Sequence, residues 1–191
     1  MELVIVATKN KGKMEEIRKI VAGAVSMEEV GVDIDVLEDG LTYEENAMKK
    51  AEAIMKITGK TVLADDSGIE IDFFGGLPGV NTSTFLTTNE HYKERNRQIL
   101  GKMAGSENRG AKFVSVLVLI KPDGEKILAR GELIGSIADE AKGEFGFAYD
   151  SIFYVREYNK TLAEIPLELK NKISHRAKAF EDLLEKAGGV L

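Results

Sequence analysis

A mixed α/β fold with two lobes is what this sequence predicts, on three observations. Early in the chain, apolar β-branched runs alternate with segments of helical spacing. Hairpin-like β patterns dominate the second half, and no repeat, low-complexity tract or linker interrupts the 191 residues. One two-lobed domain over residues 1–191 therefore fits better than a purely parallel doubly wound sheet. The cleft between the lobes is the default place for a site.

In chain order, Glu2–Ala7 (ELVIVA) reads as a buried strand. Met14, Ile17, Ile20 and Val21 recur at helical spacing, which makes Thr8–Lys13 a strand-to-helix loop. Thr42-Tyr43-Glu44-Glu45 has the capping-box pattern, and Ala47, Ala51, Ile54 and Met55 form the apolar stripe of the helix that follows. Thr61–Ala64 is a second buried strand ending in Asp65-Asp66-Ser67-Gly68, with Ile69–Phe73 as its continuation or its partner across a turn. Gly75–Gly79 is a loop, and Asn89–Met103 is helical. Lys112–Ile120 and Lys126–Ile137 form a hairpin around Lys121-Pro122-Asp123-Gly124. Ile152–Val155 is a short strand. A last helix runs from His175 to Ala187, with Ser174 as N-cap and Gly188-Gly189 as its stop.

Composition narrows the chemistry. Hydrophobic residues make up 43% and charged residues 30%, ordinary for a globular chain. No apolar run approaches a membrane span and no signal-peptide pattern opens the chain, so no membrane partner and a cytoplasmic location are expected. Cysteine is absent and there are two histidines, which excludes thiolate catalysis and Cys- or multi-His metal centres. A metal site here must be built from oxygen, which suits Mg²⁺ or Mn²⁺. The net charge of −6 disfavours nucleic acid as a partner.

Five segments carry candidate chemistry. Thr8-Lys9-Asn10-Lys11-Gly12-Lys13 lies between a strand and a helix, where free N–H groups and three lysines suit a polyphosphate; a solvated helix start capped by Asn10 is equally open. In Asp65-Asp66-Ser67-Gly68 one carboxylate can face a cleft while the other ties down a turn, a functional reading favoured over a plain Asx turn because the strand before it is buried. Asn46 and Lys50 lie four apart on a helix and, taken alone, read as a solvated face. Gly146-Phe147-Ala148-Tyr149-Asp150 sets two aromatics and a carboxylate in a turn, although aromatics more often mean core. Lys170 with Ser174-His175-Arg176 is a donor cluster at a helix start, able to meet a base or a phosphate. His91 reads as a surface residue.

In this order the segments Thr8–Lys13, Glu45–Ala51, Ala64–Gly68, Gly75–Gly79, Gly146–Asp150 and Ser174–Arg176 resemble the inosine/xanthosine triphosphate pyrophosphatases over nearly the whole chain. The resemblance implies an elongated mixed sheet with flanking helices, two lobes around a cleft and a homodimer. It also implies Mg²⁺-dependent release of pyrophosphate from ITP, dITP or XTP, with Mn²⁺ as a substitute ion. By position, Thr8, Lys9, Asn10, Lys11, Gly12 and Lys13 would meet the triphosphate, with Lys50 near the reacting phosphates. Asp66 would be the base and a metal ligand, with Glu38 the second ligand and Glu45 the next choice. Ser67 would touch the substrate, Phe147 would stack on the purine within Phe147-Ala148-Tyr149, and Asp150, Lys170, His175 and Arg176 would frame base and sugar. Lys9 stands where the family usually has glycine, and Thr84 where many relatives have arginine. The alternatives are a house-cleaning pyrophosphatase for other modified nucleotides and a non-catalytic nucleotide-binding module.

Overall fold

The computed structural model describes residues 3–86 and 92–189. The described chain runs β1 (Val4–Val6), α1 (Lys11–Ile20), β2 (Ala24–Ser26), α2 (Tyr43–Thr58), β3 (Val62–Ile71) and α3 (Tyr92–Lys102). It continues through β4 (Gly110–Ile120), β5 (Lys126–Ile137), β6 (Phe153–Val155), β7 (Lys160–Thr161), α4 (Leu167–Ile173) and α5 (His175–Lys186). The strands hydrogen-bond in the order β2-β1-β3-β4-β5-β6-β7. β1 pairs in parallel with β2 and β3, while β6 pairs antiparallel with β5 and β7. The sheet is mixed, as the sequence predicts. No helix among the described residues is long and apolar enough to cross a membrane.

The chain divides into two compact units. One comprises Met1–Asp66, Ser115–Gly131 and His175–Leu191; the other comprises Ser67–Val114 and Glu132–Ser174. In the first, Val4, Val6, Met14, Ile17, Leu63, Leu117, Phe180 and Leu183 share one core. In the second, Ile69, Ile71, Ile99, Phe113, Tyr149, Phe153 and Leu162 share another.

Local rules account for the elements that hold the site. Val4, Ile5 and Val6 are all buried, the unbroken apolar run expected of a strand with parallel neighbours on both sides. α1 starts at Lys11, so Lys11–Lys13 are its first turn rather than a loop, and Asn10 caps it by accepting the Lys13 N–H at 3.0 Å. Thr42 caps α2 by accepting the Glu45 N–H at 3.1 Å, and the Glu45 carboxylate reaches back to the Leu41 N–H at 2.7 Å. At Gly131 a Cβ would lie 2.2 Å from both the Ala179 nitrogen and the His175 oxygen, so only glycine lets the start of α5 rest on β5.

The structure departs from the sequence expectations at several elements. Asp65-Asp66-Ser67-Gly68 is not a turn: β3 runs straight through it, between β1 and β4, and sheet pairing overrides the local turn chemistry. β2, β7 and α4 were not expected, being only three, two and seven residues long. Ser174 stands directly before α5, the position expected of its N-cap, and it also ends α4, its N–H donating to the Lys170 carbonyl at 2.9 Å. His91 and the start of the helix expected from Asn89 lie outside the described residues.

Candidate active site

Directly after β1 the chain tightens into the start of α1. Thr8 Oγ1 accepts the Asn10 N–H at 3.1 Å, and the Asn10 side chain holds the Lys13 N–H, so both side chains shape the helix N-terminus. That fixes the direction of Lys13, whose ammonium lies 2.5 Å from Asp65 Oδ2. Lys9 turns outward to Asp33 and Asp35, at 2.9 and 2.8 Å, and Lys11 is exposed. The three lysines are therefore not assembled around one point, a correction to the reading of this segment as a ready-made triphosphate cradle. Lys13 alone points into the fold.

Asp65 is fully buried on β3. Ser115 from β4 donates to its Oδ1 at 2.7 Å, and Arg176 from the first turn of α5 reaches Oδ1 and Oδ2 at 3.3 and 3.5 Å. Arg176 is itself buried and also pairs with Glu16 on α1. Burial opposes ionisation of Asp65, but the charges of Arg176 and Lys13, with the Lys13 and Ser115 hydrogen bonds, outweigh it and hold its carboxyl well below the usual carboxylate range. The Lys13 ammonium is lowered as well, but by burial, which outweighs the raising effect of Asp65. Asp65 does not tie down a turn, as expected from sequence; it joins β3, β4, α1 and α5.

Lys50 and Asn46, read from sequence as a solvated face, are both buried. Asn46 Oδ1 accepts the Gly40 N–H at 2.8 Å, which fixes the loop that carries Glu38. The Lys50 ammonium donates to the Asp65 carbonyl at 2.8 Å, meets Glu38 Oε2 at 3.1 Å and lies 3.7 Å from Asp66 Oδ1. Burial raises the Asp66 carboxyl above its ordinary value; Lys50 and Lys13 counter this, and Glu38 and Asp65 add to it. Asp66 thus takes up a proton more readily than a surface aspartate.

Glu38 and Asp66 both face the Lys50 ammonium; among the described residues no cluster of three or more acidic or histidine side chains is gathered to hold a metal ion. The donors are all oxygen, which fits a hard divalent ion. Glu45 is engaged at the helix cap.

The second unit holds its own cluster. Asp150 Oδ2 accepts the Phe147 N–H at 2.8 Å and the Lys170 ammonium at 2.7 Å, and both Asp150 and Lys170 are buried. Gly146 has φ +76°, and a Cβ there would fall 2.1 Å from Asp150 Oδ2, so glycine is required for this clamp. The Lys170 ammonium lies 4.9 Å from the centroid of the half-buried Phe147 ring, a cation–π distance.

Residues 4–186 match the Ham1 family. The chain belongs to that family. It is 44% identical to the dITP/XTP pyrophosphatase of Symbiobacterium thermophilum, over 98% of this chain and 96% of the relative. It is 40% identical to the protein of the same name from Bacillus subtilis, over 96% of each. The Ham1 protein of Staphylococcus aureus superposes with a TM-score of 0.88 at 37% identity, covering 98% of this chain and 99% of that one. The HAM1 protein of Coxiella burnetii also gives 0.88, at 33% identity over the whole of both chains.

For this Ham1 chain the structure brings Thr8, Asn10, Lys13, Glu38, Lys50 and Asp66 together in the first unit, and Phe147, Asp150 and Lys170 in the second. Ser67 is half-buried on β3, Gly12 half-buried in α1, and His175 buried at the start of α5. Tyr149 needs correcting: it is a core residue whose hydroxyl donates to the Thr82 carbonyl at 2.6 Å, and burial pushes that hydroxyl up to about 12. The Ala148 carbonyl is taken by Asn96 at 3.0 Å. Arg176 braces Asp65 and Glu16. Sequence reasoning missed Glu16 and Ser115, and nothing in the local pattern of α1 or β4 marks them. Asn46 did carry a signal, in its place within Glu45–Ala51.

Proposed function

We propose that this chain hydrolyses noncanonical purine nucleoside triphosphates, dITP, ITP and XTP, to monophosphate and pyrophosphate with the help of a divalent ion such as Mg²⁺. The observation that carries the reading is the meeting of Asp66, Glu38 and Lys50 beside Lys13, in a chain whose relatives bear the name dITP/XTP pyrophosphatase.

Release of pyrophosphate requires water to attack the α-phosphorus. Asp66 acts as the base: burial keeps its carboxylate basic enough to take a proton from water. Lys50 and Lys13 supply positive charge where the leaving pyrophosphate gathers negative charge. The start of α1, shaped by Thr8 and Asn10, offers backbone N–H groups and the positive end of the helix dipole to the phosphates. An ion held by Glu38 and Asp66 would neutralise phosphate charge and lower the pKa of bound water.

Phe147 is assigned to the purine face, with Asp150 and Lys170 fixing its loop, and His175 and Arg176 to the base edge. Hypoxanthine and xanthine present O6 as acceptor and N1–H as donor, the reverse of adenine. Donors set for O6 leave adenine mismatched, which can reach ~10⁴-fold in discrimination. In a nucleotide panel with Mg²⁺, dITP, ITP and XTP are expected to yield pyrophosphate at least ~10²-fold faster than ATP, CTP or UTP. ATP or UTP consumed as fast as ITP would contradict the assignment of Phe147, His175 and Arg176.

A further inference from the structure

We propose that Asn96, on α3, is a positioning residue that aims Phe147 and thereby sets affinity for the base; this rests on the assignment of Phe147 to the purine. Asn96 is buried, and its Nδ2 donates both to the Ala148 carbonyl at 3.0 Å and to Ser151 Oγ at 3.1 Å. Ala148 follows Phe147 directly and has φ +56°, a left-handed conformation that is strained for a residue with a Cβ. Such a residue stays there only when its surroundings hold it.

The holds are visible on both sides of Phe147. Its own N–H is fixed by Asp150, which the buried Lys170 fixes in turn. On the far side, Asn96 grips the carbonyl of the strained alanine. The neighbouring Arg95 secures the same stretch one residue on. It donates to the Tyr149 hydroxyl at 3.3 Å and to the carbonyls of Thr82 and Ser83 at 2.9 and 2.6 Å. With Asn96 removed, Ala148 is free to relax toward negative φ, and the ring before it turns with the backbone. Ring direction, rather than the chemistry at phosphorus, is what changes.

The test compares Asn96→Ala, the near-isosteric Asn96→Asp, Phe147→Ala and Asn96→Ala with Ala148→Gly, using dITP and following pyrophosphate and thermal melts. Both Asn96 variants are expected to raise KM about ten-fold, the worth of one good hydrogen bond, with kcat within about two-fold. Glycine at 148 adopts positive φ without strain, so the double variant should recover a large part of the KM loss. Lost packing alone gives no such rescue. If Phe147→Ala raises KM while both folded Asn96 variants leave it unchanged, the role given to Asn96 is wrong. A loss in kcat alone, or no rescue by glycine, is equally against it. If Phe147→Ala itself leaves KM for dITP unchanged, the assignment of Phe147 to the base has failed, and the role of Asn96 falls with it.

Discussion

Asp66→Asn is expected to lower kcat for dITP by at least ~10²-fold, the scale of losing a general base together with some support for a bound ion. The change keeps size and shape but removes the negative charge that the proposed mechanism uses both to take a proton and to help hold an ion. Stability should move the other way. Burial raises the Asp66 pKa in the folded chain above its unfolded value. Its contribution to stability is therefore present below the unfolded pKa and lost as pH rises through the folded one. At neutral pH the ionised form is the strained one, so the asparagine variant should melt at the same temperature or higher. The same shift predicts that wild-type activity falls on the acid side as Asp66 protonates. A folded Asp66→Asn protein with near-normal turnover would remove Asp66 from the mechanism.

Asp65→Asn should do the reverse, damaging the fold more than the chemistry. Asp65 is the buried counter-charge for both Arg176 and Lys13. Breaking one side of such a cluster costs about 3–5 kcal/mol, because the partner charges stay buried. For a chain of this length that is a fall in Tm on the order of 10 °C. The pH dependence has the opposite sign to that of Asp66. Asp65 is held well below its unfolded value, so its contribution is present above the unfolded pKa and disappears as pH falls through the folded one. Activity per folded molecule should fall less than in Asp66→Asn, through a loosened Lys13. Thermal melts and single-turnover rates on the two variants separate these roles, and an unchanged melt for Asp65→Asn would contradict the brace.

What the sequence made legible follows the range of each interaction. The caps at Asn10 and Thr42 involve partners three residues away, so the Thr42 cap is legible in the local pattern and the Asn10 cap is one of the two readings that the pattern leaves open. The burial of β1 was plain from its unbroken apolar run. Taken alone, Lys50 reads as surface, because its partners, Glu38 and the Asp65 carbonyl, lie 12 and 15 residues off in sequence; the family resemblance is what places it near the reacting phosphates. Arg176 and Asp65 are 111 residues apart, and Arg176 and Glu16 160 apart, so no spacing rule joins them. Ser67-Gly68 has turn chemistry, yet the sheet on either side of β3 keeps it extended. Residue types at the site were therefore visible early, and the ion pairs that orient them were not.

The most direct test of the central claim is hydrolysis of dITP by the wild-type chain with Mg²⁺ in ¹⁸O-labelled water. If water attacks the α-phosphorus, the label appears in the nucleoside monophosphate, and the pyrophosphate released alongside it is unlabelled. Label in pyrophosphate, or in orthophosphate released directly from the nucleotide, would place the attack at a different phosphorus and contradict the reaction assigned to Asp66, Lys13 and Lys50.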